Sequence, residues 1–398
     1  MSYDIATWLG LGLRWLHLTA GVAWIGASFY FVWLDNNLTE PDPPREGVKG
    51  ELWAVHGGGF YHSQKYLNAP PQMPGHLHWF KWEAYTTWLS GFFLLCILYY
   101  VGADAYLIDR SVADISRGTA IAIGLGSMAG GWIIYDLLCR SPLAASERGL
   151  AIALAVLVAG AAWGLCQVFS GRGAFTQIGA LIGTIMVANV FVIIIPYQKK
   201  TVAALIAAKD PDPYWGAIGK QRSVHNNYLT LPVIFLMLSN HYPLFFATKY
   251  NWLIVAIVLL IGPVIRHFFN SQHAGKGNPW WTWGVAAAGM IAIALLSAAG
   301  PRAAKTGALP ATPAFAEVQN IVAGRCGMCH ASEPFWPGIA AAPNGVKFDD
   351  AAEIKRHARM IAVNAVMSSA MPPGNVSEIS PEERQVLAAW IAAGAPDK

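Results

Sequence analysis

Ala174-Phe175-Thr176-Gln177-Ile178-Gly179-Ala180-Leu181-Ile182-Gly183-Thr184-Ile185-Met186-Val187-Ala188-Asn189-Val190-Phe191-Val192-Ile193-Ile194-Ile195 contains no charged residue. A bilayer's hydrocarbon core of about 30 Å needs about 20 mostly apolar helical residues to cross it, and this stretch is long enough. Seven others share its character: Ile5–Leu34, Ala84–Val101, Gly118–Leu138, Gly149–Phe169, Tyr228–Phe246, Trp252–Phe269 and Trp280–Ala299. Small residues such as Gly124, Gly130, Gly131, Gly179 and Gly183 allow close helix packing in lipid. Trp8, Tyr99, Tyr100, Trp252, Trp280 and Trp281 sit at span ends, where amphipathic rings favour the interface. A soluble bundle would show polar stripes every three or four residues, and these segments lack them. The pattern predicts an all-α polytopic membrane helix bundle of eight spans over residues 1–299.

Composition agrees. Of 398 residues, 55% are hydrophobic and 13% charged, with a mean hydropathy of +0.39. Ordinary soluble domains carry about 25% charged residues. That shortage excludes a nucleic-acid binder, a disordered scaffold and an ordinary cytosolic enzyme, and it makes the lipid bilayer a partner. The tail after residue 300 is richer in charge and electrically neutral, so the net charge of +4 belongs to the first part. A small soluble domain over 314–398 is expected, joined by a Pro/Ala linker over 300–313.

Basic residues fix an orientation. Arg45, Lys49, Lys65, Lys81, Arg140, Arg148, Lys199, Lys200, Lys209, Lys220, Arg222, Arg266 and Lys276 follow spans 1, 3, 5 and 7. Only Arg110, Arg117, Arg172 and Lys249 follow spans 2, 4 and 6. The positive-inside bias places the first set in the cytoplasm and both termini outside. The long N-terminal apolar segment lacks an A-x-A cleavage site and reads as an uncleaved anchor.

Three of the five cysteines, Cys96, Cys139 and Cys166, stand alone in or beside spans and read as packing residues. The other two form Cys326-Gly327-Met328-Cys329-His330. Two thiols three apart can each bond one haem vinyl group, with the adjacent His facing the iron. This predicts covalent haem c in a small all-helical cytochrome c domain, with His330 and a methionine as iron ligands. Met371, in Ala370-Met371-Pro372-Pro373-Gly374-Asn375, lies in a helix-breaking loop that could hold a thioether. Met360 and Met367 fall in a helical stretch and are expected in the core. Ser380-Pro381-Glu382-Glu383 opens the last helix with a capping-box pattern and Pro at its first position. Covalent haem attachment occurs outside the bacterial inner membrane, which agrees with the outward C-terminus.

Histidines are the informative residues of the first part. His56, His62, His76 and His78 fall in a short window with Tyr61, Lys65, Tyr66, Trp79, Lys81 and Trp82. A pocket near His62, Lys65, His78 and Lys81 would offer positive charge, hydrogen-bond donors and aromatic faces; ordinary interfacial anchoring is the alternative. His17 lies within span 1, on one helix face with Arg14. An intramembrane titratable residue is functional by default. His17 is a candidate ligand of a non-covalent haem b, or a buried His bonded to a neighbouring helix. His241 on span 6 is the candidate second ligand.

The chain resembles the bacterial membrane-bound urate oxidases (urate hydroxylases), in which an eight-span domain is fused to a C-terminal cytochrome c. The resemblance rests on Trp15-Leu16-His17 with Gly21-Val22-Ala23-Trp24-Ile25-Gly26, then on Gly57-Gly58-Gly59-Phe60-Tyr61-His62 and His78-Trp79-Phe80-Lys81-Trp82-Glu83-Ala84. It continues through His225-Asn226-Asn227-Tyr228 and Ser239-Asn240-His241-Tyr242 to Cys326–His330. It implies oxidation of urate to 5-hydroxyisourate, with electrons passed to the cytochrome and on to a respiratory-chain acceptor such as a terminal oxidase or soluble cytochrome c. His17 with Trp24-Ile25-Gly26 is also similar to the first span of haem-binding membrane proteins of the protoporphyrinogen oxidase and copper-resistance type. Two other classes stay open: an electron-transfer subunit oxidising quinol or serving another dehydrogenase, and a transporter whose cytochrome senses redox state. Urate arises in the cytoplasm while the cytochrome is expected outside. Either a haem b bridges about 30 Å of hydrocarbon, or urate binds towards the outer leaflet near Arg14, His17 and His241.

Overall fold

The computed structural model describes residues 5–300, 313–337 and 339–396. The expected linker lies, except for its two end residues, outside the described residues. The chain begins with α1 (Ile5–Asn36), which packs mainly along α2 (Trp82–Leu95) and leaves Trp8, Leu11, Trp15, Leu18 and Val22 exposed. Between these helices stands an antiparallel hairpin of β1 (Val48–His56) and β2 (Gly59–Tyr66), with Trp53 opposite His62. The hairpin departs from the all-α expectation. Gly57 and Gly58 both have positive φ, 58° and 80°, which suits a tight two-residue turn, and the flanking Val, Trp, Phe and Tyr residues favour strands. A reading tuned to twenty-residue spans passes over so short an element.

α2 runs through a π-type turn at Cys96–Val101 to the short α3 (Ala103–Tyr106). α4 (Arg117–Arg140), α5 (Glu147–Cys166) and α6 (Gly171–Ala188) follow. Each starts on a serine, Ser116, Ser146 or Ser170, whose hydroxyl accepts a first-turn N–H. α6 continues through a second π-type turn, Asn189–Ile194, into α7 (Ile195–Ile206). Pro196 has no N–H to return to the preceding turn, which explains the widening there. α8 (Pro213–Leu238), α9 (Pro243–Phe246), α10 (Asn251–His273) and α11 (Trp281–Ser297) complete the bundle.

The charge-free stretch quoted first forms the centre of this bundle. Ala174, Phe175, Gln177, Ile178 and Ile182 are fully buried. α6 packs on α4, α5 and α8, and α8 and α5 also contact α10. Among the described residues, six helical segments are long and apolar enough to cross a membrane: Thr7–Asn36, Trp82–Val101, Arg117–Arg140, Glu147–Cys166, Gly171–Ile206 and Asn251–His273. Trp281–Ser297 is apolar but shorter. The expected sixth span, Tyr228–Phe246, differs most: its helix starts at Pro213, ends at Leu238, and has a polar first half. Arg222 and Arg266, counted above as loop charges, are buried within α8 and α10. The loop asymmetry survives without them.

The tail is a second, smaller helical cluster. α12 (Phe315–Cys326), α13 (Ala351–Arg356), α14 (Ala358–Ile361) and α15 (Pro381–Ala392) surround buried Val318, Val322, Ile354, Leu387 and Trp390. The capping box on α15 is formed in both directions between Ser380 and Glu383. Trp390 satisfies its indole N–H on the Pro396 carbonyl at 2.8 Å.

Candidate functional site

In the tail, α12 ends on Cys326, and His330 donates its backbone N–H to the Cys326 carbonyl at 2.9 Å, closing the Cys326–His330 motif into one turn. The His330 Nδ1–H donates to the Val346 carbonyl at 3.0 Å. That bond fixes the tautomer and leaves Nε2 with its lone pair, as an iron-ligating imidazole requires. Burial pushes the Cys326 thiol up to about 12 and raises Cys329 as well, so both stay protonated at neutral pH.

Met371 is brought to this motif by α15. Glu383 accepts two bonds from Arg325 Nε at 3.0 Å, gripping the motif's neighbour. Arg384, the next residue, donates to the Met371 carbonyl at 3.0 Å and lies within electrostatic reach of Cys326. Met371 N–H in turn donates to the Asn364 carbonyl at 2.8 Å. One helical turn therefore holds the cysteine segment and the methionine loop together. The donor set of two thiols, one imidazole nitrogen and one thioether fits a covalently held, axially ligated haem. Met360 and Met367, expected in the core, are instead 43% and 58% exposed. Their helical stretch is short and turns only Ile361 and Ala365 fully inward.

The bundle's expected residues are less concentrated. His62 Nε2 bonds Glu51 Oε2 at 2.8 Å, and its ring stacks on Trp53 at 4.1 Å. Bonds from Gln64 and His62 hold the Glu51 carboxyl below the usual carboxylate range. Lys65 pairs with Asp35. His78 meets Phe80 edge-on at 4.6 Å, and Lys81 lies 5.5 Å over the Trp82 ring. Each is engaged by a local neighbour, and no contact joins the hairpin pair to the loop pair among the described residues. His17 donates from Nδ1 to the Thr87 carbonyl at 2.8 Å, with the Ser90 hydroxyl 3.3 Å away. Gly91 lies beneath its ring, where a Cβ would come within 2.7 Å. Nε2 keeps its lone pair, so His17 fits an axial ligand. His241 does not share that place. It is exposed in the turn Ser239–His241, against α6 and α9.

Sequence reading missed a buried polar network. Arg222, 0% exposed, bonds Asp136 Oδ1 at 2.7 Å and lies 4.9 Å over the Tyr135 ring. Asn189 donates to the Tyr135 hydroxyl at 2.9 Å, and that hydroxyl shares a hydrogen bond with His225 Nδ1 at 2.8 Å. Asn189 also donates to Asn226 Oδ1 at 2.9 Å. Arg222 Nε and Nη1 and Asn189 Oδ1 have no hydrogen-bond partner among the described residues. On another face of α8, Asn227 accepts from Arg266 and Asn270, while the Arg266 guanidinium covers Phe29 at 3.9 Å. The legible signal was Arg222-x-x-His225-Asn226-Asn227 ahead of an apolar run, a helix stripe too polar for lipid.

The urate oxidase N-terminal family model matches residues 3–297. The chain belongs to that family. The match spans the whole bundle, including the His17 helix, the hairpin and both faces of α8. No curated protein and no solved structure matches the chain.

Proposed function

We propose that this urate oxidase family member oxidises urate to 5-hydroxyisourate in the bacterial inner membrane and passes the electrons through its own tail to a respiratory-chain acceptor. Cys326 and Cys329 would hold haem c by thioether bonds, and His330 Nε2 and Met371 Sδ would bind its iron. Bound there, the haem supplies a one-electron acceptor. The observation that carries the reading is the pairing of a urate oxidase bundle with a Cys-x-x-Cys-His turn whose histidine is already oriented by Val346.

The chain's own residues supply the rest. His17, pinned through Nδ1 by Thr87, is the proposed bundle ligand for a haem b. Hydropathy supports eight spans, and the asymmetry of loop charge supports both termini and the tail in the periplasm. Urate is an anion at neutral pH. His62, Lys65, His78 and Lys81 lie at the end of the bundle that this topology turns towards the cytoplasm, where they would attract it. A histidine there could accept the proton that the substrate loses.

The purified protein should stain for covalent haem on a denaturing gel and release haem b on acid-acetone extraction. With urate and oxidised soluble cytochrome c it should form 5-hydroxyisourate and reduce two cytochromes per urate. A protein that reduces cytochrome c only with quinol would be an electron-transfer subunit instead.

A further inference from the structure

We propose that the bundle itself positions the Met371 ligand: the tail is docked through the loop that carries Met371, so thioether ligation depends on an intact contact between the two parts. The inference rests on the haem c reading above. Within the tail, the Met371 backbone is held by hydrogen bonds to Asn364 and Arg384. The residues on either side of it belong to the bundle as much as to the tail. Ser369 N–H donates to the Ala247 carbonyl at 3.2 Å, just after α9. Ala370 is buried within the bundle's apolar core. Gly374, at φ +55°, lies over α3 so closely that a Cβ would stand 2.5–2.9 Å from the carbonyls of Ile108, Ala105 and Asp104. Gly300, closing the bundle, approaches the Met367 carbonyl, with a built Cβ 3.3 Å away.

Ala105, Gly171 and Ala247 on the bundle and Ser369, Ala370 and Gly374 on the tail line one small cavity in this seam. Small residues on both sides let the backbones touch. Arg110 and Glu378 add an exposed ion pair at 3.9 Å on the rim, which contributes little. The contact thus brackets Met371 on both sides while the His330 side of the motif is held by the tail alone. An axial thioether is a weak ligand that raises the haem potential, and it needs a fixed backbone to stay in place. Docking supplies that. The methionine side also faces the part of the chain that delivers electrons.

Ala105→Trp fills the seam from the bundle side, and Gly374→Ala forces it open from the tail side. Both variants are expected to keep full covalent haem staining. Both should lose more than half of the sulfur-to-iron band at the red end of the oxidised spectrum. A haem-independent readout is Ala370→Cys, which should react slowly with a maleimide in the otherwise unaltered chain and at least fivefold faster when Ala105→Trp is added. Faster labelling with a band of full strength would overturn the proposal, because the seam would be open and ligation intact. Unchanged labelling would overturn it too, since an intact seam has no room for the new side chain. If the unaltered protein carries no covalent haem, the haem reading itself fails, and the two failures are told apart.

Discussion

In the tail, the proposed haem ligands come from two nearby segments, and one turn of α15, through Glu383 and Arg384, grips both. In the bundle, Asp136 and Tyr135 on α4, Asn189 after α6 and His225 and Arg222 on α8 meet only because three long helices cross. The tail's Cys326–His330 turn is local and closed by backbone partners at Cys326 and Val346. The bundle's network is non-local and keeps buried donors and acceptors without partners among the described residues. A site assembled locally tolerates a small domain with a modest core. One assembled across helices depends on the packing of the whole bundle, so its chemistry and its stability cannot be varied separately.

The sharpest way to break this contrast is at the cysteines. Cys329→Ala should abolish at least one thioether and reduce covalent haem staining to near background, with the bundle still inserted. Full staining would remove the tail's site altogether. Next in size is Arg222→Met, which leaves Asp136 held only by Arg140. Because Arg140 still pairs with Asp136, the loss should stay below about 3 kcal/mol, the cost of a buried charge left wholly unpaired, read as a lower melting temperature in detergent. Arg222→Met with Asp136→Leu should recover most of that loss. If the single variant melts like the unaltered chain, the network is not a structural unit.

Met371→Ala should keep the covalent haem, lose the sulfur-to-iron band and lower the potential, whereas Met360→Ala and Met367→Ala, both on the exposed surface, should do neither. A loss seen in Met367→Ala alone would move the ligand. The smallest effect is expected at the hairpin. Glu51 has a carboxyl held below its ordinary pKa, first by Gln64 and then by His62. Its contribution is therefore present above the ordinary carboxylate pKa and is lost as pH falls through the lowered folded value. Glu51→Gln should loosen amide protection across Val48–Tyr66 slightly at neutral pH, with no further loosening on acidification. Protection equal to the unaltered chain's at neutral pH would show that the carboxylate is idle.

How much of this was legible follows from the same contrast. Hydropathy located α6 as a span, and its central place in the bundle agrees with that, because a helix buried on all sides must be apolar on all sides. Ser380 and Glu383 announced the α15 cap, and Cys326–His330 stands out in the sequence because the proposed haem attachment uses contiguous residues. The hairpin was hidden by its brevity beside long spans. Arg222 was mistaken for a loop charge because burial of a guanidinium is licensed by Asp136 and Tyr135, which lie on another helix. His62 and Lys65 looked free until Glu51, Trp53 and Asp35 were seen to occupy them. Docking of the Met371 loop was illegible as well: Gly374 reads as a turn glycine, and only the neighbouring carbonyls of α3 show why nothing larger fits.

The central claim is that one chain both oxidises urate and receives its electrons. An anaerobic reduced-minus-oxidised spectrum of the purified protein, recorded before and after urate and with no partner or mediator present, tests it directly. The account predicts that the covalent c-type haem becomes reduced, that the reduction requires His17, and that 5-hydroxyisourate appears at half an equivalent per electron stored. A haem c that stays oxidised with urate but is reduced at once by quinol would contradict it.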